Sequence, residues 1–235
     1  EEATYDGNYK AVHHLQGNST DSTSNGNDGV VTDASPRQEG NDVGYDATGG
    51  DITFGSAGDY NYLHNGSDWT IEVKAKWDVL GASNFLFATG TGASASASIW
   101  CYKDTSDNIL FAMTRNVSGS YVITNASTGI TITDTNEHTF SFRYSYTVSA
   151  PVLEVFFDGV LVGNMSSTAN AVSAVNSGTG FKILGNVTGI ATDMDGWVGH
   201  VRLLDKRKGQ ADIITTYNAE KSDSDIITAG DENTQ

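Results

Sequence analysis

Between Tyr60 and Asn65 the chain reads YNYLHN, two tyrosines two residues apart with asparagines beside them. Sugars present apolar C–H faces ringed by hydroxyls. An aromatic platform flanked by amide or carboxylate hydrogen-bonders is therefore the chemistry that recognises them. If the segment is extended, Tyr60 and Tyr62 face the same way and can stack on successive sugar units, with Asn61 and Asn65 as polar contacts. Trp100 and Tyr102, on either side of Cys101 in SIWCY, form a second candidate platform. Core packing competes with binding at every one of these rings, because aromatic side chains of strand-rich chains are mostly buried.

Motifs for other chemistry are missing. The sequence holds no Gly-x-Ser-x-Gly, no His-Glu-x-x-His and, with one cysteine, no Cys-x-x-Cys. Gly90–Ala95 has the glycines of a nucleotide loop, but a strand-like SASIW follows where that motif needs a helix. His13 and His14 are adjacent in a strand and so point to opposite faces, one inward and one outward. His200 and Arg202 share a face and are expected as a polar pair on a sheet surface. The strand glutamates, Glu72 and Glu154, stand apart from other carboxylates and are expected on solvated faces.

The elements that must position these residues are strands. Trp69, Ile71, Val73, Ala75 and Trp77 alternate with Thr70, Glu72, Lys74 and Lys76, one face buried and one wet. Phe140, Phe142, Tyr144 and Tyr146 repeat the pattern. Trp197, Val201 and Leu203 are expected on the core face of a late strand. Asp158-Gly159 between two apolar runs predicts a hairpin with a type I′ turn. About a dozen short strands and one helix signal around Ile213, Ile214 and Tyr217 predict two stacked antiparallel sheets in a single domain, residues 1–235.

The net charge is −16, from 29 acidic and 13 basic residues. Such a field disfavours nucleic acid and anionic membranes as partners, and no apolar run is long enough to insert in a bilayer as a helix. Aspartate supplies 21 of the acids, which suits turns and oxygen-rich calcium sites. The lone Cys101 excludes an internal disulfide and is expected as a buried thiol. Glu1 follows neither an initiator Met nor a signal peptide, so the chain is expected to be a processed product or one domain of a longer multidomain protein.

Two stretches carry a family resemblance. DGWVGHVRLLDKRKGQADIITTYN, Asp195 to Asn218, resembles the closing strand, turn and helix of laminin-G-like domains in the concanavalin A-like lectin/glucanase superfamily. YKAVHHLQGNSTDSTSNGNDG, Tyr9 to Gly29, resembles the opening of the same domains. The Asp158-Gly159 hairpin and DITFGSAGDYNY fit the pattern between them. The resemblance implies an all-β jelly-roll sandwich with one short C-terminal helix. It also implies a carbohydrate-binding or adhesion role toward a glycan or polysaccharide, at an extracellular, cell or virion surface. Related domains often hold calcium where the opening loop meets the closing strand, which here nominates Asp21, Asp28 and Asp195. The family commonly has an acidic pair before the Val-Arg of the closing strand, and Gly199 and His200 stand there instead. The superfamily's glucanases carry an acidic triad alternating on one strand, and its lyases an Arg-rich strand with Gln-x-His; this sequence has neither. A binding module is expected, with a polysaccharide hydrolase or lyase and a ligand-free spacer as the alternatives.

Overall fold

The computed structural model describes residues 5–46, 49–90, 98–114, 121–146, 152–166, 179–185 and 191–221. The first strands are β1 (Tyr9–His13), β2 (Gly29–Thr32), β3 (Ser35–Glu39), β4 (Asp42–Asp46) and β5 (Asp51–Phe54), followed by a 3-10 helix, Ala57–Leu63. The middle of the chain forms β6 (Trp69–Trp77), β7 (Asn84–Thr89), β8 (Ser98–Lys103), β9 (Asn108–Thr114) and β10 (Tyr121–Thr131). It ends with β11 (His138–Ser145), β12 (Val152–Phe157), β13 (Val160–Ser166), β14 (Phe181–Ile183), β15 (Gly196–Leu204) and the helix α1 (Gln210–Glu220).

These strands make an antiparallel β-sandwich of the concanavalin A-like jelly-roll kind. One sheet runs β13-β12-β11-β6-β15-β4-β3, with β1 as its eighth strand paired to β15; the other runs β10-β9-β8-β7-β14-β5-β2. The central strand β6 sits between β11, where Phe142 faces Ile71, and β15, where Val201 faces Val73. Trp69, Ile71, Val73, Phe140, Phe142, Val201 and Leu203 are all buried in the core cluster between the sheets, as period-two alternation requires. Pro36 lies in β3, an edge strand, the place in a sheet where proline is tolerated. Asp158 (φ 49°) and Gly159 (φ 74°) both take positive φ and close the β12–β13 hairpin as a type I′ turn.

Trp197 departs from the expected face. A β-bulge between Val198 and His200 shifts the alternation of β15 by one residue. Val198, Val201 and Leu203 therefore point into the core, while Trp197 is buried on the outer face of the sheet. There its indole N–H donates to the Arg37 carbonyl at 3.1 Å. The indole lies against the backbones of Gly44 and Gly199, where any Cβ would collide with the ring.

Candidate functional site

The outer face of the eight-stranded sheet is built from the alternate residues that the core does not use. Register places Thr139 of β11, Lys74 of β6 and His200 of β15 side by side in one row. Asp158, in the turn after β12, extends the row, its carboxylate accepting the Thr139 amide at 2.9 Å. A second row holds Arg202 beside Glu72. The β3–β4 turn stands at one end of these rows, with the loop before β11 and the C-terminal end of α1 as the other walls. Together they bound an open groove of about 760 Å³. It crosses four neighbouring strands, β4, β15, β6 and β11. Three inter-strand spacings of about 4.8 Å make that roughly 14 Å, the scale of an oligosaccharide and not of a single small ion.

The floor is charged but paired. Lys74 is nearly buried and bonded to Asp42, with Glu137 at 2.8 Å on its other side. Burial pulls its pKa down, and the hydrogen bonds and charges of these two carboxylates outweigh that, so it stays an ammonium. Lys76 bonds Glu39 at 2.8 Å. Arg202 bonds Glu220, and the same glutamate lies 3.1 Å from His200 Nε2. Burial drives His200 below the ordinary imidazole range, which leaves the ring neutral at pH 7. Burial alone would raise Glu220, but the His200 hydrogen bond and the Arg202 charge together hold it at about 2. With His200 neutral at pH 7, Arg202 is the partner that keeps its charge there. Glu39 is lowered too, chiefly by its hydrogen bond to Lys76.

The nearby strand glutamates are not solvated as the alternation suggested. Glu72 is 1 % exposed and takes the Lys208 ammonium at 2.9 and 3.1 Å, because the segment leading into α1 folds across this face. Glu154 is gripped by Arg143 (2.6 and 2.9 Å) and reached by Arg207 at 2.5 Å. His200 and Arg202 do share a face, as expected, but with only 8 % of His200 exposed they form part of the groove floor. His13 is fully buried, stacked 3.8 Å from Phe54, and His14 is exposed. Cys101 is buried, and burial pushes its thiol pKa well up.

The aromatic candidates lie elsewhere, in the protein interior. Tyr60–Asn65 is not extended. A capping box between Ser56 and Asp59 starts the 3-10 helix, which carries Tyr60 (0 % exposed) and Tyr62 (9 %) into the core beside Phe181. Neither ring can stack on a ligand in this conformation. Asn61 is half-buried, and Asn65 is exposed with its side chain accepting from Ser67 in an Asx turn. Trp100 and Tyr102 are also buried. They pack with Phe85, Ala88 and Ala112 on the outer face of the seven-stranded sheet, while Cys101 between them points into the main core. Of Gly90–Ala95, residues 91–95 lie outside the described residues.

The nominated calcium ligands do not meet. Asp21 has its carboxylate occupied by the amides of Val12 (3.0 Å), Thr23 (2.9 Å) and Asn27 (3.0 Å) and by the Thr23 hydroxyl (2.8 Å). Asp28 accepts the Asp21 amide at 2.8 Å, so the pair organises its own loop. Val12 is opposite Arg202, seven residues along the chain from Asp195, which puts Asp195 about 23 Å away at about 3.3 Å per residue. Among the described residues no group of three or more His, Cys, Asp or Glu is placed to hold a metal. The donor set does not fit a calcium ion.

A jelly-roll sandwich with a polar groove on its outer face is the class that fold and site define. No protein-family model and no curated protein matches the sequence. Solved structures do share the fold. Domain 4 of AbnA, an extracellular GH43 arabinanase from Geobacillus stearothermophilus, in complex with arabinotriose, superposes with TM-score 0.66 at 13 % identity, covering 88 % of this chain and 97 % of that one. A Trypanosoma rangeli sialidase in complex with sialic acid gives 0.64 at 16 % identity, covering 97 % and 35 %. A botulinum neurotoxin type C structure, whose cell entry depends on interaction with two ganglioside molecules, gives 0.62 at 12 % identity, covering 89 % and 50 %. The chain thus spans about a third of the sialidase and half of the toxin chain. At such identities the likeness establishes the fold and nothing further.

Proposed function

We propose that this domain is a non-catalytic carbohydrate-binding or adhesion module of a larger surface, secreted or virion protein, with the outer-face groove as its glycan site. The observation that carries the reading is the groove itself: a polar trough crossing four strands, floored by a cross-strand row of hydrogen-bonding side chains. Glycan ligands in the arabinanase-domain and sialidase structures support the ligand class, and the Asp195–Asn218 ending supports laminin-G-like kinship. Catalysis through Glu220 or Glu39 is disfavoured: a glycosidase needs a carboxylic acid with a raised pKa, whereas Glu220 is held at about 2 and Glu39 is lowered.

A glycan-array screen, with a depolymerisation assay on the same sugars, tests the reading. Asn41 and Asn136 line the groove and are exposed, so Asn41→Ala and Asn136→Ala should weaken binding with an unchanged melting midpoint. No binding to any glycan removes the proposal. Release of reducing or unsaturated ends favours the hydrolase or lyase alternative.

A further inference from the structure

We propose that the ligand of this groove is an uncharged, hydroxyl-rich glycan, and that sialylated or uronate sugars are excluded. The proposal rests on the glycan-binding reading above and narrows it.

The decisive feature is how Lys74, Lys76 and Arg202 are held. Four cationic side chains (Lys74, Lys76, Arg202, Lys221) and five carboxylates (Glu39, Asp42, Glu137, Asp158, Glu220) line the groove. Lys74 lies between Asp42 and Glu137, Lys76 lies against Glu39 with Asp78 3.9 Å away, and Arg202 joins Glu220 with Glu72 3.7 Å away. An anionic sugar approaching Lys74 must sit beside two aspartate or glutamate carboxylates or push one out. Either event leaves the sugar's negative charge next to at least one remaining carboxylate, which disfavours its binding. The −16 charge of the chain adds long-range repulsion.

A hydroxyl meets no such conflict. It donates one hydrogen bond and accepts others, so it can bridge a carboxylate oxygen and an ammonium or guanidinium group that are already paired. Each carboxylate offers about four lone-pair directions, and one cation does not fill them. The paired floor is therefore preorganised for neutral polyols, and charge-assisted hydrogen bonds are about twice as strong as neutral ones. Tyr217 is the one phenol, indole or phenyl ring among the described lining residues, so recognition proceeds by hydrogen bonding more than by stacking.

The test sets neutral arabinan, galactan and glucan oligosaccharides against sialyllactose and oligogalacturonate, with the intact chain, at low and near-physiological salt. Neutral sugars should bind at least about tenfold better, with little change as the Debye length falls from about 30 to 8 Å. Asp42→Asn frees one side of Lys74 and should shift selectivity toward the anionic sugars. Glu137→Gln, on the other side, checks the same shift should the first variant fold poorly. Tighter, salt-sensitive binding of anionic sugars by the unmodified protein overturns the inference and leaves the glycan-binding reading standing. Failure to bind any sugar overturns both.

Discussion

Removing the Glu72 carboxylate tests whether the outer face of β6 is covered or wet. Glu72 lies in the middle of an alternating strand whose odd positions fill the core, so it faces outward. An exposed lysine–glutamate pair contributes about 0.2–1 kcal/mol, because water screens it and two long side chains must be ordered. In the structure the Glu72 side chain is 2 % exposed and the Lys208 side chain 9 %, with both carboxylate oxygens on the ammonium and Arg202 3.7 Å away. Glu72→Ala would strand that ammonium and crowd it against a guanidinium. Breaking a buried pair costs about 3–5 kcal/mol. Lys208 keeps the Thr216 hydroxyl at 2.6 Å, which places this case near the lower end, about 3 kcal/mol. At about 2–4 °C per kcal/mol for a domain of this size, the midpoint should fall by about 6–12 °C. Differential scanning calorimetry and denaturant melts read the change directly. The double variant Glu72→Met with Lys208→Met should recover most of the loss, since an apolar pair leaves no buried charge unmatched. A single-variant loss under about 1 kcal/mol, the value of an exposed pair, would refute the reasoning.

Three further outcomes are expected. Tyr60→Ala should lower stability by about 3 kcal/mol or more, as truncation of a buried aromatic does, and leave glycan affinity unchanged; lost binding at an unchanged midpoint would return the ring to a binding role. His138 loses basicity to burial but gains more from Asp158 (2.8 Å) and Asp134 (3.1 Å), so its folded-state pKa is raised. That stabilisation is fully present below about pH 6.5 and is lost as pH rises through the folded-state value, so His138→Gln should flatten the decline in midpoint above pH 6.5. With the Asp21 carboxylate occupied by four protein donors, EDTA should leave the melting midpoint unchanged, and a drop of several degrees would show a bound ion.

Elements whose signal is local were legible in the sequence. Alternation in β6 and β11 fixed their core faces, and Asp158-Gly159 fixed a type I′ hairpin, because both depend on neighbouring residues alone. The candidate site was not legible, for two physical reasons. Tyr60 and Tyr62 stand at strand spacing, but the Ser56–Asp59 capping box turns the segment into a 3-10 helix, which changes where each ring points. The groove is assembled by register between β11, β6, β15 and β4, which are far apart in sequence, so no linear motif announces His200 beside Lys74 beside Thr139. One signal was available. In WVGHVRL the apolar spacing of Val198, Val201 and Leu203 is three and then two, with a glycine in the longer step, which is the mark of a bulge.

That bulge and the helix α1 together turn a flat sheet into a site. Without the extra residue in β15, Trp197 would stay in phase with Val201 on the core face. The bulge puts it outside, where it fills the space under the β3–β4 hairpin with Gly44 and Gly199 admitting the ring. The hairpin can then stand as one wall of the groove. A second wall comes from α1, which buries a single apolar side chain, Ile213, and leaves Ile214 37 % exposed. Apolar packing alone is too small to seat such a helix. Its position is fixed instead by Lys208 on Glu72 and Thr216 at its start and by Glu220 on Arg202 and His200 at its end. The carboxylate that anchors the last turn of α1 is thereby also a groove-lining group. Docking of the helix and the polarity of the site follow from the same side chains.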